Sequence, residues 1–172
     1  MSNAKTSLLR EQVKRAAGVL ASTMEDIPEE AAHWAPGGRA NSIAANFGHV
    51  TTAVDGVVNG LLKGEAPLMM SKATGLSEPP PMDDERFDWH GWGKRLRIDL
   101  DESRRYLDAV MKSVDSYLAG LSDSDLERVI TTPLGERSVF DMLNGAVLFN
   151  LNCHTGEIAA LKGQQGMKGY AF

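Results

Sequence analysis

The chain has 172 residues, 42% hydrophobic and 24% charged, and its 18 basic residues against 23 acidic ones leave a formal charge of -5. A length of this order suits one domain that buries its own core, so 1–172 reads as a single unit, and the proportions exclude disordered and fibrous classes. With no basic block beyond Lys94-Arg95-Leu96-Arg97 and Arg104-Arg105, no nucleic-acid partner is expected; Cys153 alone allows no internal disulfide, and no apolar run approaches the roughly 20 residues that span a bilayer.

Apolar residues recur at three and four positions, and β-type alternation is nearly absent, which predicts an all-α protein. Leu9, Val13, Ala16 and Leu20 make the first stripe. Met1 to Leu20 carries Glu11 and lacks the apolar region and cleavage site of a secretion signal, so the expected compartment is cytoplasmic. Asp26-Ile27-Pro28-Glu29-Glu30 reads as the cap, proline and acidic first turn of a short segment, and Ala35-Pro36-Gly37-Gly38 breaks the chain. Asn41 or Ser42 then caps a helix placed at about 42–62, with Ile43, Phe47, Val50, Val54, Val57 and Leu61 turned inward.

Residues 64–88, with Pro67, Gly75 and Pro79-Pro80-Pro81, read as a long Pro-rich crossover connection. Met69, Met70 and Phe87 are its candidates either to cover a pocket or simply to pack on the helices. A third long helix carries Trp92, Leu96, Leu100, Ser103, Leu107, Val110, Val114 and Leu118 at near-heptad spacing up to Gly120. Ser122-Asp123-Ser124-Asp125 caps a short turn, and 131–137 is a loop or small hairpin. Ser138-Val139-Phe140-Asp141 resembles a capping box opening a last helix that runs to about Lys162. The pattern is a four-helix bundle with one long crossover connection, a fold whose sites form where facing helices converge.

At 100° per residue, Leu143, Val147, Asn150, His154, Ile158 and Leu161 fall on one stripe of the last helix. A buried amide or imidazole without a partner costs on the order of 1 to 3 kcal/mol, so Asn150 and His154 call for partners. His49, at the flank of the 42–62 stripe, and Asn46, one turn earlier, are placed to supply them. One reading is a satisfied polar cluster that fixes helix register. The other is a divalent metal, zinc or nickel, held by His49 and His154 with help from Glu157; there Asn150 would be a weak donor. Cys153 lies about 100° around the helix from His154 and reads as a small buried hydrophobe. His33 and His90 read as packing or surface residues, and the tryptophans as anchors.

Several short motifs share an order and spacing: Trp34-Ala35-Pro36-Gly37-Gly38 before Asn41-Ser42-Ile43, His49, Leu134-Gly135-Glu136, and His154-Thr155-Gly156-Glu157-Ile158 before Leu161-Lys162-Gly163. Together they resemble, over nearly the whole chain, the DinB-like superfamily of bacterial four-helix bundles, which includes mycothiol-dependent maleylpyruvate isomerases and bacillithiol transferases. The resemblance implies a metal held by three histidines, one on the second long helix and two as H-x-x-x-H on the last, with water completing the coordination. His49 matches the first and His154 the third, and Asn150 stands at the second. It also implies a helix-mediated homodimer, and an ion that lowers the pKa of a thiol cofactor or water.

The expectation is a DinB-like protein with a degenerate metal site, binding a small molecule or a partner near Asn46, Asn150 and Glu157. The alternative is a divalent-metal-dependent thiol S-transferase or hydrolase using His49 and His154, and a third reading is a purely structural dimer module.

Overall fold

In the computed structural model, which describes residues 3–81, 88–132 and 135–172, the amphipathic stripes become helices. α1 (Ala4–Thr23) buries Leu9, Val13, Ala16 and Leu20. After the short α2 (Glu29–His33) and the Pro-Gly break comes α3 (Ile43–Asp55). Ser42 is its cap: the hydroxyl oxygen accepts from Ala45 N at 3.1 Å, satisfying one of the amides that a helix start leaves unpaired. α3 runs on as a π-helical stretch, Gly56–Leu62. α4 (Trp89–Arg95) and α5 (Leu100–Ala119) follow. A two-stranded antiparallel hairpin, β1 (Val129–Thr132) with β2 (Gly135–Ser138), leads into α6 (Val139–Asp141) through the reciprocal capping box of Ser138 and Asp141. The last helix then widens into a π-helical stretch, Met142–Phe149, and resumes as α7 (Asn150–Gln164).

α1 packs on α5 and α7, and α3 packs on the same two, giving the all-α four-helix bundle that the periodicity predicts. The interior they share holds Leu20, Phe47, Val54, Val110, Leu118, Leu143, Leu151 and Ile158, all essentially without solvent exposure. Each such side chain contributes about 1.5 to 3 kcal/mol by leaving water. Among the described residues no helix is long and apolar enough to cross a membrane.

Two departures from the sequence reading have local causes. A π turn holds an extra residue, so the buried stripe slips by one position beyond it. Val58 and Leu62 are buried where Val57 and Leu61 were expected, and Leu151 takes the central place expected for Asn150. The third long helix is not continuous from Trp92: Leu96 turns extended at ψ 133°, and Asp99 starts α5 afresh, its Oδ1 accepting from Glu102 N at 2.8 Å.

The crossover connection is fastened to the bundle as far as it is described, the packing alternative of the sequence reading. Ser77 N and Asp99 N donate to Arg97 O and Gly75 O, and Leu76 bridges Ile98. Its main anchor is the fully buried Asp55, whose carboxylate accepts from Leu68 N and Met69 N at 2.9 Å, Asn59 Nδ2 at 2.7 Å and the Tyr106 hydroxyl at 2.6 Å. Burial first, then the bond to Asp55, hold the Tyr106 phenol well above its usual range, so it stays a donor. Met69 packs against the core and Met70 is 75% exposed; neither covers the cavity described below, and Phe87 lies outside the described residues.

A candidate ligand site where His49 meets His154

α3 packs against α7 so that His49 faces His154, with ring centroids 4.8 Å apart and planes at 76°. One turn back on α3 is Asn46 and one turn on along α7 is Glu157, and both line the same cavity, so the two helices run antiparallel here. α4 adds Trp89, edge-on to His49 at 4.4 Å, and Trp92 stands edge-on to Trp89 at 5.4 Å. His49 is thus held between an indole and a second imidazole. Among the described residues its buried Nδ1 has no hydrogen-bond partner.

Burial first, and then the neighbouring His154, push the His49 imidazole down to about 4. This depression has a definite sign in stability. Between about pH 6.5 and 4 the unfolded chain binds a proton at this residue that the folded chain refuses, so stability falls as pH drops through that window and levels below it. The expected loss between pH 7 and 5 is about 2 kcal/mol, and urea titrations of the chelator-treated protein and of His49→Gln should show it in the first and not in the second. Equal slopes in both would refute this.

His154 is half-buried, and its Nδ1 donates to Glu157 Oε2 at 2.7 Å. The carboxylate fixes the ring's orientation and leaves Nε2 as the nitrogen that can accept. Asn46 is only 4% exposed, and its side-chain amide makes no hydrogen bond among the described residues. It borders a cavity of about 300 Å³, whose other polar walls are Arg39, Asn41, Glu157 and Gln164. Asn41 was one of two candidates to cap α3. Since Ser42 takes that role, the Asn41 oxygen is left buried against Gly93 without a partner.

The interior polar cluster expected of Asn46, His49, Asn150 and His154 does not form. His154 bonds Glu157, while Asn150 is half-buried one turn before it, makes no side-chain hydrogen bond among the described residues and does not line the cavity. Cys153 is exposed, not buried as expected, because α7 turns Leu151, Thr155 and Ile158 inward and carries the intervening thiol to the solvent side. His33 is a satisfied structural residue: Nδ1 donates to Glu29 O at 2.9 Å and Nε2 accepts from Ile98 N at 3.0 Å. Sequence reasoning missed Trp89, Arg39, Asn41 and Gln164 as neighbours of the site. Only the doubled cap candidate, Asn41 beside Ser42, carried a signal.

The fit to a metal is partial. A zinc ion sits about 2 Å from an imidazole nitrogen, so two rings on one tetrahedral ion have centroids about 5 Å apart, near the spacing of His49 and His154. A catalytic zinc, however, takes three protein ligands. Among the described residues no three His, Cys, Asp or Glu side chains are grouped to hold an ion. Two imidazoles with a neighbouring amide therefore do not fit a resident catalytic metal.

A family model described as the DinB superfamily matches residues 12–158. The crystal structure of the conserved protein of locus from Enterococcus faecalis superposes with a TM-score of 0.78 at 18% identity, covering 94% of this chain and 96% of that one; identity this low speaks for the fold alone. No curated protein matches the chain. The helical architecture and a family match reaching from α1 to the middle of α7 lead to one conclusion: the chain belongs to the DinB superfamily.

Proposed function

We propose that this DinB-superfamily member binds a small polar molecule beside the His49–His154 pair and keeps a degenerate metal site there that holds no resident catalytic ion. The carrying observation is the donor set. Two imidazoles converge, Asn150 takes the sequence position of the second histidine in the H-x-x-x-H pattern that the resemblance implies, and the carboxylate of Glu157 is engaged by His154 Nδ1. The adjoining cavity of about 300 Å³ supports a ligand of small-molecule size. The setting proposed with it is cytoplasmic, which a lone exposed thiol favours, and homodimeric, which sedimentation at several concentrations would check.

The centroid spacing also favours a second reading, a divalent-metal-dependent thiol S-transferase or hydrolase with water in the open positions. Elemental analysis of protein purified without an affinity tag separates the two. Substoichiometric zinc and nickel, unchanged in His154→Ala, is the expected result. One equivalent of either metal, lost in that variant, would replace the first reading by the second.

A further inference from the structure

Beyond the histidine pair, the cavity bounded by Arg39, Asn41, Asn46, Glu157 and Gln164 has a polar character that the folded chain leaves unsatisfied. Asn46 is the strongest sign. The residue is 4% exposed, yet its amide is not among the buried unpartnered polar atoms, so the polar end opens onto the cavity that it lines.

The walls differ in charge. The Arg39 guanidinium, on the loop before α3, makes no hydrogen bond or ion pair among the described residues. Beside it the Asn41 oxygen is turned inward against Gly93, which leaves Nδ2 as the end able to face the cavity, and Asn46 adds a second amide. This side is rich in donors. On α7 stands Glu157, whose Oε2 accepts a hydrogen bond from His154 Nδ1, while Oε1 makes none among the described residues. A cation and an anion therefore border one small cavity, each unpaired with the other. About 300 Å³ is the lower end of the range for small-molecule sites.

Resting on the reading that this end of the bundle is a small-molecule site, we infer that the cavity takes a zwitterion of the amino-acid class. The ligand carboxylate lies on Arg39 with the amides of Asn41 and Asn46, and its ammonium lies on Glu157. Charge-assisted hydrogen bonds at both ends set orientation, and whatever the ligand carries beyond its ammonium is directed along α7 toward His154.

Calorimetry and thermal shift with the free L-amino acids, their N-acetyl and C-amide derivatives, glucose and acetate test this. Saturable binding of at least one free amino acid below about 10 mM is expected, weakened about 10-fold or more by either derivatisation and by Arg39→Gln. Asn46→Leu should abolish binding while leaving the melting temperature unchanged or higher, which a structural asparagine would not do. Binding that ignores Arg39→Gln, or a lower melting point in Asn46→Leu with binding intact, overturns the inference. Saturation by glucose or acetate, without any amino acid, overturns it and leaves the small-molecule reading standing. Silence from every probe overturns it too, while the metal content independently decides the underlying reading.

Discussion

Asp55→Ala is expected to destabilise the fold by about 3 to 5 kcal/mol, a large part of what a domain of this size possesses. The carboxylate is the shared acceptor for two backbone amides, an amide side chain and a phenol, all drawn into the interior. Removing it leaves each donor to find water or remain unpaired, at about 1 to 3 kcal/mol for each that fails. Asp55→Asn keeps one acceptor oxygen but sets an N–H against existing donors, and about half the loss should remain. Tyr106→Phe removes a single charge-assisted bond and should cost about 1.5 to 3 kcal/mol. Equilibrium unfolding in urea orders the three variants. A loss for Asp55→Ala within about 1 kcal/mol would mean that water replaces the carboxylate freely and that Asp55 does not anchor the connection. Limited proteolysis between Gly64 and Pro81 should accelerate in the same variant, because Leu68 and Met69 lose their attachment.

Asn150→His should raise affinity for zinc or nickel by about 100-fold or more, since outer partners of a metal ligand alone are worth about 10- to 100-fold and this change supplies a direct ligand. Position 150 opens α7, so 150 and 154 stand one regular turn apart on the same face, beyond the π-helical stretch that disturbs the spacing before it. His49 Nδ1, buried without a partner, gives the added imidazole something to act with. Competition against a chromophoric chelator measures the change. Affinity equal to the parent would show that position 150 does not aim at the histidine pair, and with it the reading of Asn150 as the missing ligand would fall.

How much of this could be read from residues alone depended on whether the signal was local. Ser42 and the Ser138–Asp141 box act on amides three residues away, and both caps stand as expected. The seam of α5 follows from ordinary 3.6-residue periodicity, and Leu107, Val110, Val114 and Leu118 are buried as predicted. The slip from Val57 to Val58 and from Asn150 to Leu151 was hidden, because no residue type announces a π turn. The meeting of His49 with His154 was anticipated from the polar residues beside two apolar stripes, whereas Trp89 reaches His49 from a helix whose placement only tertiary packing decides. The role of Asp55 had a faint trace in one acid among Val50, Val54, Val57 and Val58. Its four partners, coming from 59, 68, 69 and 106, did not.

The stretches Gly56–Leu62 and Met142–Phe149 lie against each other across the bundle. Each carries a residue more than an ordinary turn needs, so losing one amino acid there lets the backbone tighten into regular geometry instead of tearing its ladder. The molecule thus holds two facing reserves of slack, where the gene can shorten by a codon and the change is absorbed locally, with the flanking helix left in register. In the second stretch the helix beyond it, and with it the imidazole of His154, would keep its facing toward His49 after such a loss.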